Sequence, residues 1–451
     1  MQDSREKFGS RFAVVMAFAG SAIGLGNIWR FPYMVGEHGG AAFIIVYIIC
    51  SLLVAIPIMY CESIIGKAAE NGTYGAMCKL APGTRWKLLG YVTVFTNFII
   101  TSYYCVVGGW SVDFLVRSCV SGFSGDGVTR IFGSMSSSVW EPLAMLTIFL
   151  GLSATIVAAG VKKGIEKFTK ITMPLLFFLI LAIVTYSVSL PGASEGVQYL
   201  IKPDFSKLDG PALASALGQA FFSMSLGVGC VLVYSSYMKQ DESLFTSGLL
   251  TAVADTGFAI IAGFAVMPAV FAAGLKPEAG PSLIFETLPF IFGKMGVATP
   301  IISRVASIVF FITILTAALT SSISMMEVCV EFLSSRTRLS RKQSSLFFFC
   351  TCWILGALCS LSFGCLSDVK MFGQNIFGFC DMLASNFLMT FGALAFSIFV
   401  GWIMKRETVW KTATNNGTLK GSVKVFPAIY FVIKWVIPPV ILFIWVTSLL
   451  V

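Results

Sequence analysis

Three glycines and a proline interrupt the first long apolar segment of the chain. Gly20, Gly24 and Gly26 weaken a helix there, and Pro32 follows within two turns. A backbone amide or carbonyl without a partner in lipid costs several kcal/mol, so a break inside a membrane span requires a compensating role. The free carbonyls of a broken helix can bind a cation, and its free N–H groups can bind an anion. The segment therefore indicates a binding site inside the bilayer.

The composition is that of a helical membrane protein. Of the 451 residues, 57% are hydrophobic and 12% are charged, and the mean hydropathy is +0.86, whereas soluble domains carry about 25% charged residues. The apolar runs predict an all-α polytopic membrane protein with eleven transmembrane helices. The predicted spans are 12–36, 41–69, 88–117, 140–160, 165–190, 212–238, 244–274, 298–334, 344–364, 375–404 and 425–450.

Lys and Arg are distributed unevenly between the connections. The N-terminus and the even-numbered connections hold 21 of them, and the odd-numbered connections hold 7. By the positive-inside rule, this predicts a cytoplasmic N-terminus and, with eleven spans, an extracellular or periplasmic C-terminus. The same bias explains the net charge of +9, so we expect no nucleic-acid partner. We also expect no cleavable signal peptide, and we expect the twelve scattered cysteines to be reduced packing residues.

A second interrupted span lies at the sixth position. The segment 219–229 places Ser and Gly where a helix in lipid should be apolar. Packing of small residues between helices would explain either interruption alone. Recurrence at the matching place in two halves instead favours a midplane site between inverted repeats. We therefore predict one transporter domain with unwound first and sixth helices. It comprises five-helix repeats at 12–190 and 212–404, followed by a last helix at 425–450.

The motifs around both interruptions resemble the neurotransmitter:sodium symporter family. The segment 20–32 resembles the first span of that family, and Tyr104 with Trp110, 221–227 and 319–322 resemble spans three, six and eight. The order and spacing of these motifs match over nearly the whole chain. The resemblance implies the leucine-transporter fold, in which two inverted repeats surround a substrate and two sodium ions. Eleven spans and short outer loops are typical of bacterial amino-acid transporters, so we expect the bacterial inner membrane.

The resemblance also implies ligands for the two sodium ions. A dehydrated Na⁺ takes several oxygen donors, most of them neutral. A Thr-Ser-Ser run alone is more often bonded to its own helix backbone, but here it coincides with a broken first span. The implied ligands of the first ion are Ala22, Asn27, Ser223 and Asp255, completed by the substrate carboxylate. Those of the second are Gly20, Ile23, Ala317, Thr320 and Ser321.

Asp255 lies about three turns into the seventh span, where a charge is expensive and therefore functional by default. The alternative is a side chain that reaches back to the membrane surface. In chloride-dependent members of the family this region is neutral, and a chloride ion supplies the negative charge beside the first sodium. A carboxylate here would supply that charge permanently, so we expect chloride-independent transport.

Gly24 indicates the substrate class. Monoamine-transporting members of the family carry an aspartate here, whereas glycine leaves room for a substrate carboxylate at the N–H groups of the broken helix. The resemblance therefore implies an α-amino acid in an uncharged pocket, large and hydrophobic or aromatic, such as Leu, Phe, Tyr or Trp, without a choice among them. The implied substrate-binding residues are Ala22, Gly24, Leu25, Gly26, Ile100, Tyr104, Phe222, Ser223, Ser225, Val228, Ser321 and Met325.

Two further features match elements that open and close transporters of this family. Arg30 and Asp381 match its outer charged pair. Gly164 and Pro174 enclose the start of span five, which is either a helix cap followed by a proline kink or a segment that unwinds. By resemblance, unwinding would open a water path to the second sodium site.

The inner gate departs from the family pattern. Arg5 matches the cytoplasmic gate arginine, but Phe8 replaces the usual tryptophan and Ser335 replaces the usual aspartate. Glu327 or Glu331 is then the alternative acidic partner of Arg5. The sequence does not decide between these partners and a weaker gate.

Together, the motifs predict a sodium-coupled symporter that imports a neutral hydrophobic or aromatic L-amino acid by alternating access. A sodium-dependent amino-acid sensor without transport is the alternative. An enzyme is not expected, because the lone His38 has no nucleophile or metal cluster beside it in the sequence. The expected partners are the amino acid, two Na⁺ ions and membrane lipid, and a homo-oligomer is left open.

Overall fold

The computed structural model describes residues 6–123, 128–275, 284–296 and 299–450. Its elements are helices, and strand-like pairing within these ranges is limited to isolated bridges at Gly40–Pro203 and Met371–Gln374. All twelve cysteines are unpaired. The all-α fold class is confirmed.

We label the helices of the eleven predicted spans α1 to α11 and write the halves of a broken helix as a and b. Nine helices in the described ranges are long and apolar enough to cross a membrane, or ten if the bent α1 pair is one span. The count of eleven stays a prediction. The helices are α1a (Arg11–Ala22), α1b (Gly26–Glu37), α2 (Ala41–Ala69), α3 (Lys87–Val120), α4 (Trp140–Ala158), α5 (Val161–Val188), α6a (Gly210–Ser223), α6b (Cys230–Ser235), α7 (Leu244–Ala272), α8 (Pro300–Arg336), α9 (Arg341–Leu361), α10 (Ile376–Ile403) and α11 (Lys420–Phe443).

Helix ends follow local sequence signals. Ser10 and Asp209 accept hydrogen bonds from backbone amides in the first turns of α1a and α6a. Pro300 begins α8, at a position where its missing N–H costs nothing. Ser340 and Gln343 form a reciprocal capping box at the start of α9.

The helices surround α3 and α8, which pack along each other. α3 also packs against α4 and α9, and α1a packs against α5, α7 and α8. The most apolar stretch of α3 is 89% buried within the protein, compared with 22% for α11. α3 is therefore a core helix, and α11 is a peripheral helix with most of its surface available to lipid.

The predicted interruption of α1 is present. The helix bends by 49° between its two halves. Ile23 has an extended backbone (φ −74°, ψ 105°) directly after α1a ends at Ala22. The resulting gap in the backbone hydrogen-bond ladder is the feature that the glycines of this segment predict.

α6 is also interrupted, over residues 224–229. Gly227 and Gly229 have φ values of 81° and 79°, which glycine adopts without steric cost. α10 packs closely on this turn, because a Cβ atom on Gly392 would lie 1.9 Å from the carbonyl oxygen of Gly227. Two glycines facing each other thus bring the break into contact with α10.

We expect Gly392→Ala to lower the free energy of unfolding by about 1–3 kcal/mol, because the added methyl group would collide with the Gly227 carbonyl. Gly218→Ala on α6a is the matched control, since a Cβ atom there meets nothing within 4 Å. It should preserve or raise stability. Thermal unfolding of both purified variants in one detergent checks this, and equal midpoints would show that the glycine contact does not support the break.

Candidate substrate and sodium sites

The two helix breaks line a closed cavity. Its volume is about 20 Å³, which is room for about one water molecule. An amino acid therefore fits only after the walls move apart. Met389 of α10 was not predicted, whereas Leu25 and Ser223 were predicted but do not line the cavity. The lining residues are Ala22, Gly24, Gly26, Ile100, Tyr104, Phe222, Ser225, Val228, Ser321, Met325 and Met389.

Polar groups converge at one end of the cavity. The Leu25 N–H, directly before α1b, donates to the Tyr104 hydroxyl at 3.2 Å. A Cβ atom on Gly24 would lie 2.2 Å from Ser321 Oγ and 3.0 Å from Tyr104 Oη. No side chain fits at Gly24 without moving these groups. The N-terminal end of a helix favours a negative group, so this end of the cavity is suited to a carboxylate.

Asp255 lies at the centre of a buried hydrogen-bonded cluster beside the α1 break. Asn27 Nδ2 lies 2.8 Å from Asp255 Oδ1 and 2.9 Å from Ser223 Oγ, and Ser223 Oγ lies 2.9 Å from each carboxylate oxygen. The hydroxyl of Tyr47, which sequence analysis missed, lies 3.4 Å from Asp255 Oδ2. The Asp255 side chain is fully buried, so the alternative of a surface-reaching carboxylate is wrong.

A second group of oxygen atoms joins the α1 break to α8. The Thr320 hydroxyl lies 2.9 Å from the carbonyl oxygen of Ala317 and 3.4 Å from that of Ile23. Gly20 lies beside the same threonine, because a Cβ atom there would lie 3.4 Å from Thr320 Cβ. Ser321 faces the cavity. The structure thus brings Thr320 together with the carbonyls of Ala317 and Ile23, whereas the Ser321 hydroxyl lies 3.4 Å from the carbonyl oxygen of Ser21.

Two buried polar side chains that sequence analysis missed hold the breaks in place. Glu62 Oε1 of α2 accepts a hydrogen bond from the Gly227 N–H at 2.7 Å. Gln219 Nε2 of α6a donates to the Gly26 carbonyl at 2.8 Å. Glu62 is a charged residue inside an apolar run, and the reasoning that selects Asp255 also applies to it.

The outer pair predicted from the sequence is not joined in this conformation. The Arg30 guanidinium carbon lies 4.9 Å from the ring centroid of Phe222, a cavity-lining residue. Asp381 accepts a hydrogen bond from Ser385 at 3.0 Å. Arg30 and Asp381 interact electrostatically, but no direct ion pair links them in the described part of the chain. A cation–π contact covers the cavity instead.

Arg5 lies outside the described residues, so its partner is not observed. Glu327 is fully buried and binds Arg341 of α9 through both carboxylate oxygens, and the Tyr237 hydroxyl donates to it at 2.7 Å. Among the described residues, Glu327 therefore pairs with α9, and its pairing with Arg5 stays a prediction. Glu331 accepts a hydrogen bond from the N–H group of Gly72.

The segment 6–9, directly before α1a, packs against the end of α2 and the start of α5. Lys7 forms an ion pair with Glu70 at 2.6 Å, which holds the pKa of Glu70 below its usual range. The Gly9 N–H donates to Glu166 of α5 at 2.9 Å. Glu6 in turn accepts a hydrogen bond from the first N–H group of α5 at 2.8 Å. Carboxylates on both partners thus tie this segment to the start of α5.

Gly164 and Pro174 lie in an intact α5. A Cβ atom on Gly164 would lie 2.0 Å from the Ile156 carbonyl oxygen, so glycine allows α4 and α5 to pack closely. The first turns of α5, Val161–Glu166, are wider than an α-helix, a geometry often found at functional positions. Unwinding of this segment stays a prediction.

Comparison with known proteins identifies the family. The model of the sodium:neurotransmitter symporter family matches residues 5–132 and 128–451. The chain belongs to this family. The symporter is 35% identical to the uncharacterized sodium-dependent transporter YhdH of Bacillus subtilis, over 97% of this chain and 96% of that protein. An uncharacterized sodium-dependent transporter of Haemophilus influenzae is 33% identical over 99% and 98% of the two chains.

A solved structure confirms the fold of the symporter. The crystal structure of MhsT in complex with L-phenylalanine matches it with a TM-score of 0.90 at 37% identity, over 99% of this chain and 100% of that one. The family resemblance read from the sequence is therefore confirmed. The family consists of sodium-dependent membrane transporters and not of enzymes.

We expect Asn27→Ala to abolish sodium stimulation of transport, because it removes a side chain that joins Ser223 and Asp255 to the α1 break. The variant should also reduce the rise in unfolding midpoint that Na⁺ causes relative to K⁺. Asn386→Ala, at an exposed position on α10, is the control and should respond to Na⁺ like the wild type. An unchanged response in Asn27→Ala would place the first sodium site elsewhere.

Proposed function

We propose that the protein is a sodium-coupled symporter that imports a neutral hydrophobic or aromatic L-amino acid by alternating access. The observation that carries this proposal is the closed cavity between the two helix breaks, with polar donors at one end and apolar walls at the other. MhsT, the solved relative, was crystallised with L-phenylalanine.

The polar end of the cavity suits both charges of an amino acid. The substrate carboxylate would accept hydrogen bonds from the N–H groups of Leu25 and Gly26 and from the Tyr104 hydroxyl. The ammonium group would donate to the carbonyls of Ala22 and Phe222. In the closed cavity the Leu25 N–H donates to Tyr104 and the Phe222 carbonyl accepts from the Ser225 N–H, so the substrate would take over the first bond and share the second carbonyl.

The remaining walls are apolar. Ile100, Val228, Met325 and Met389 surround the rest of the cavity, and its lining contains no charged side chain. A basic or acidic substrate side chain would be buried without a partner, at a cost of several kcal/mol. The two methionines adapt their shape easily, which allows the cavity to widen for Leu, Phe, Tyr or Trp.

We assign two Na⁺ ions per cycle. The first would bind at the Asp255 cluster, next to the substrate carboxylate, and the second at Thr320 between α1 and α8. Each charge moving down the membrane potential contributes about 2.3 kcal/mol per 100 mV. We place the protein in a bacterial inner membrane with a cytoplasmic N-terminus and an extracellular or periplasmic C-terminus, as the Lys and Arg distribution indicates.

Sodium-dependent uptake into proteoliposomes, measured in competition with each of the twenty amino acids, tests the proposal. Leu, Phe, Tyr and Trp should compete most strongly, whereas Asp, Glu, Lys and Arg should not compete, because the cavity offers no partner for their charge. Sodium-dependent binding without uptake would favour the sensor alternative. Preferred uptake of a charged amino acid would reject the assigned pocket.

We expect uptake by the wild type to be unchanged when gluconate replaces chloride, because Asp255 supplies a permanent negative charge beside the first sodium ion. Asp255→Asn removes that charge and should make the remaining uptake depend on chloride. Asn386→Ala, at an exposed position on α10, should keep the wild-type response. Loss of wild-type uptake in gluconate would contradict chloride independence.

A further inference from the structure

A groove of about 480 Å³ lies between the end of α10 and the facing turn of α11. Both helices widen locally at this place, at Phe399–Ile403 and Val432–Val436, and the two segments are in contact. Gly401 permits the close approach of the two helices, because a Cβ atom there would lie 3.1 Å from Lys434 Cα. Widened turns of this kind are often found at functional positions.

Two tryptophans fix a lysine in this groove. The Lys434 ammonium lies 4.8 Å from the ring centroid of Trp402 and 5.6 Å from that of Trp435. The rings meet edge to face at 4.7 Å, and Trp402 Nε1 donates to the Lys434 carbonyl at 3.2 Å. Each tryptophan is 52% exposed. Lys434 itself is half-buried, so the ammonium group is positioned by the protein and is partly accessible to a molecule outside it.

The groove carries positive charge without acidic partners. The segment 401–434 contains six basic residues and one acidic residue, Glu407, which pairs with Lys411 at 2.7 Å. Arg406 lies 5.6 Å from the ring of Tyr430, whose hydroxyl donates to a backbone carbonyl of α10. Within the described residues, neither Lys434 nor Arg406 forms an ion pair.

We propose that this groove binds an anionic phospholipid, with its phosphate between Lys434 and Arg406 and its acyl chains along Trp402 and Trp435. A free phosphate ion would match the two cations but would leave the exposed indole rings uncovered. An anionic lipid matches both the two cations and the indole rings. Basic residues attract its phosphate, and tryptophan favours the interface between headgroups and acyl chains. The proposal does not depend on the transported substrate.

Native mass spectrometry of the full-length protein in detergent, with added phosphatidylglycerol or phosphatidylcholine, tests this site. Wild type should retain phosphatidylglycerol preferentially. Each lost cation should weaken retention about fivefold, and the double variant Lys434→Gln, Arg406→Gln about 25-fold. Lys424→Gln, an exposed residue of α11 outside the groove, should retain the lipid like the wild type. Lys434→Arg keeps the charge and should also retain it.

A second measurement separates this groove from ordinary surrounding lipid. A phosphatidylglycerol analogue with a photoreactive acyl chain should label peptides containing Trp402 or Trp435 in wild type and Lys424→Gln, and this labelling should fall in Lys434→Gln. Millimolar inorganic phosphate should not displace the lipid. Equal retention of both lipids, unchanged labelling in Lys434→Gln, or displacement by phosphate would each overturn the proposal.

Discussion

The structure depends on hydrogen bonding of backbone groups where two helices break in a medium without water. An unpaired amide or carbonyl there costs several kcal/mol, so each break requires polar side chains from neighbouring helices. These side chains come from four helices, which ties the breaks to the surrounding bundle. The contacts are Asn27 Oδ1 with the Gly24 N–H, Gln219 with the Gly26 carbonyl, Glu62 with the Gly227 N–H, Asn97 with the Val228 carbonyl, and Ser225 with the Ser21 carbonyl.

A buried carboxylate from a neighbouring helix lies beside each break, Glu62 of α2 at the α6 break and Asp255 of α7 at the α1 break. Glu62 accepts a hydrogen bond from the Gly227 N–H, in the turn directly before α6b. Asp255 is surrounded by the neutral donors Asn27, Ser223 and Tyr47. A buried negative charge with only neutral donors is costly unless a cation joins it. Asp255 is bonded to Asn27 and Ser223, two of the residues implied for the first sodium ion, whereas Glu62 is bonded to the backbone of the α6 break, so Asp255 and not Glu62 lies at the implied sodium site.

Much of the site could be predicted because it is encoded in residues that are unfavourable in a membrane helix. Glycines at mid-span predict the breaks, and Asp255 in an apolar run predicts a buried functional charge. Glu62 carries the same signal and could have been found by the same rule. Tyr47 and Met389 carry no such signal, because tyrosine and methionine are ordinary in membrane helices and only the rotation of α2 and α10 shows which way they face.

Ion-pair partners were the least predictable part of the site. Glu327 was one candidate partner of Arg5, which lies outside the described residues, and the structure joins it to Arg341 at the start of the next helix, a partner that the sequence did not indicate. The choice between two cations depends on how α8 and α9 are rotated and how far apart they lie. Neither quantity follows from spacing along the chain.

The segment 6–9 is held against the rest of the protein by several weak contacts. A transporter has to change conformation, and weak contacts can be broken one by one. The segment 6–9 is held by the Lys7–Glu70 ion pair, by Glu166 and by Lys239, which donates to the Gly9 carbonyl at 3.0 Å. Partly exposed ion pairs contribute about 0–1 kcal/mol each. Among the described contacts of the segment 6–9, the sum can hold the segment in place, but no single one is strong enough to fix it. One buried ion pair in place of these contacts would hold the segment 6–9 more firmly, because breaking a buried pair is strongly destabilising.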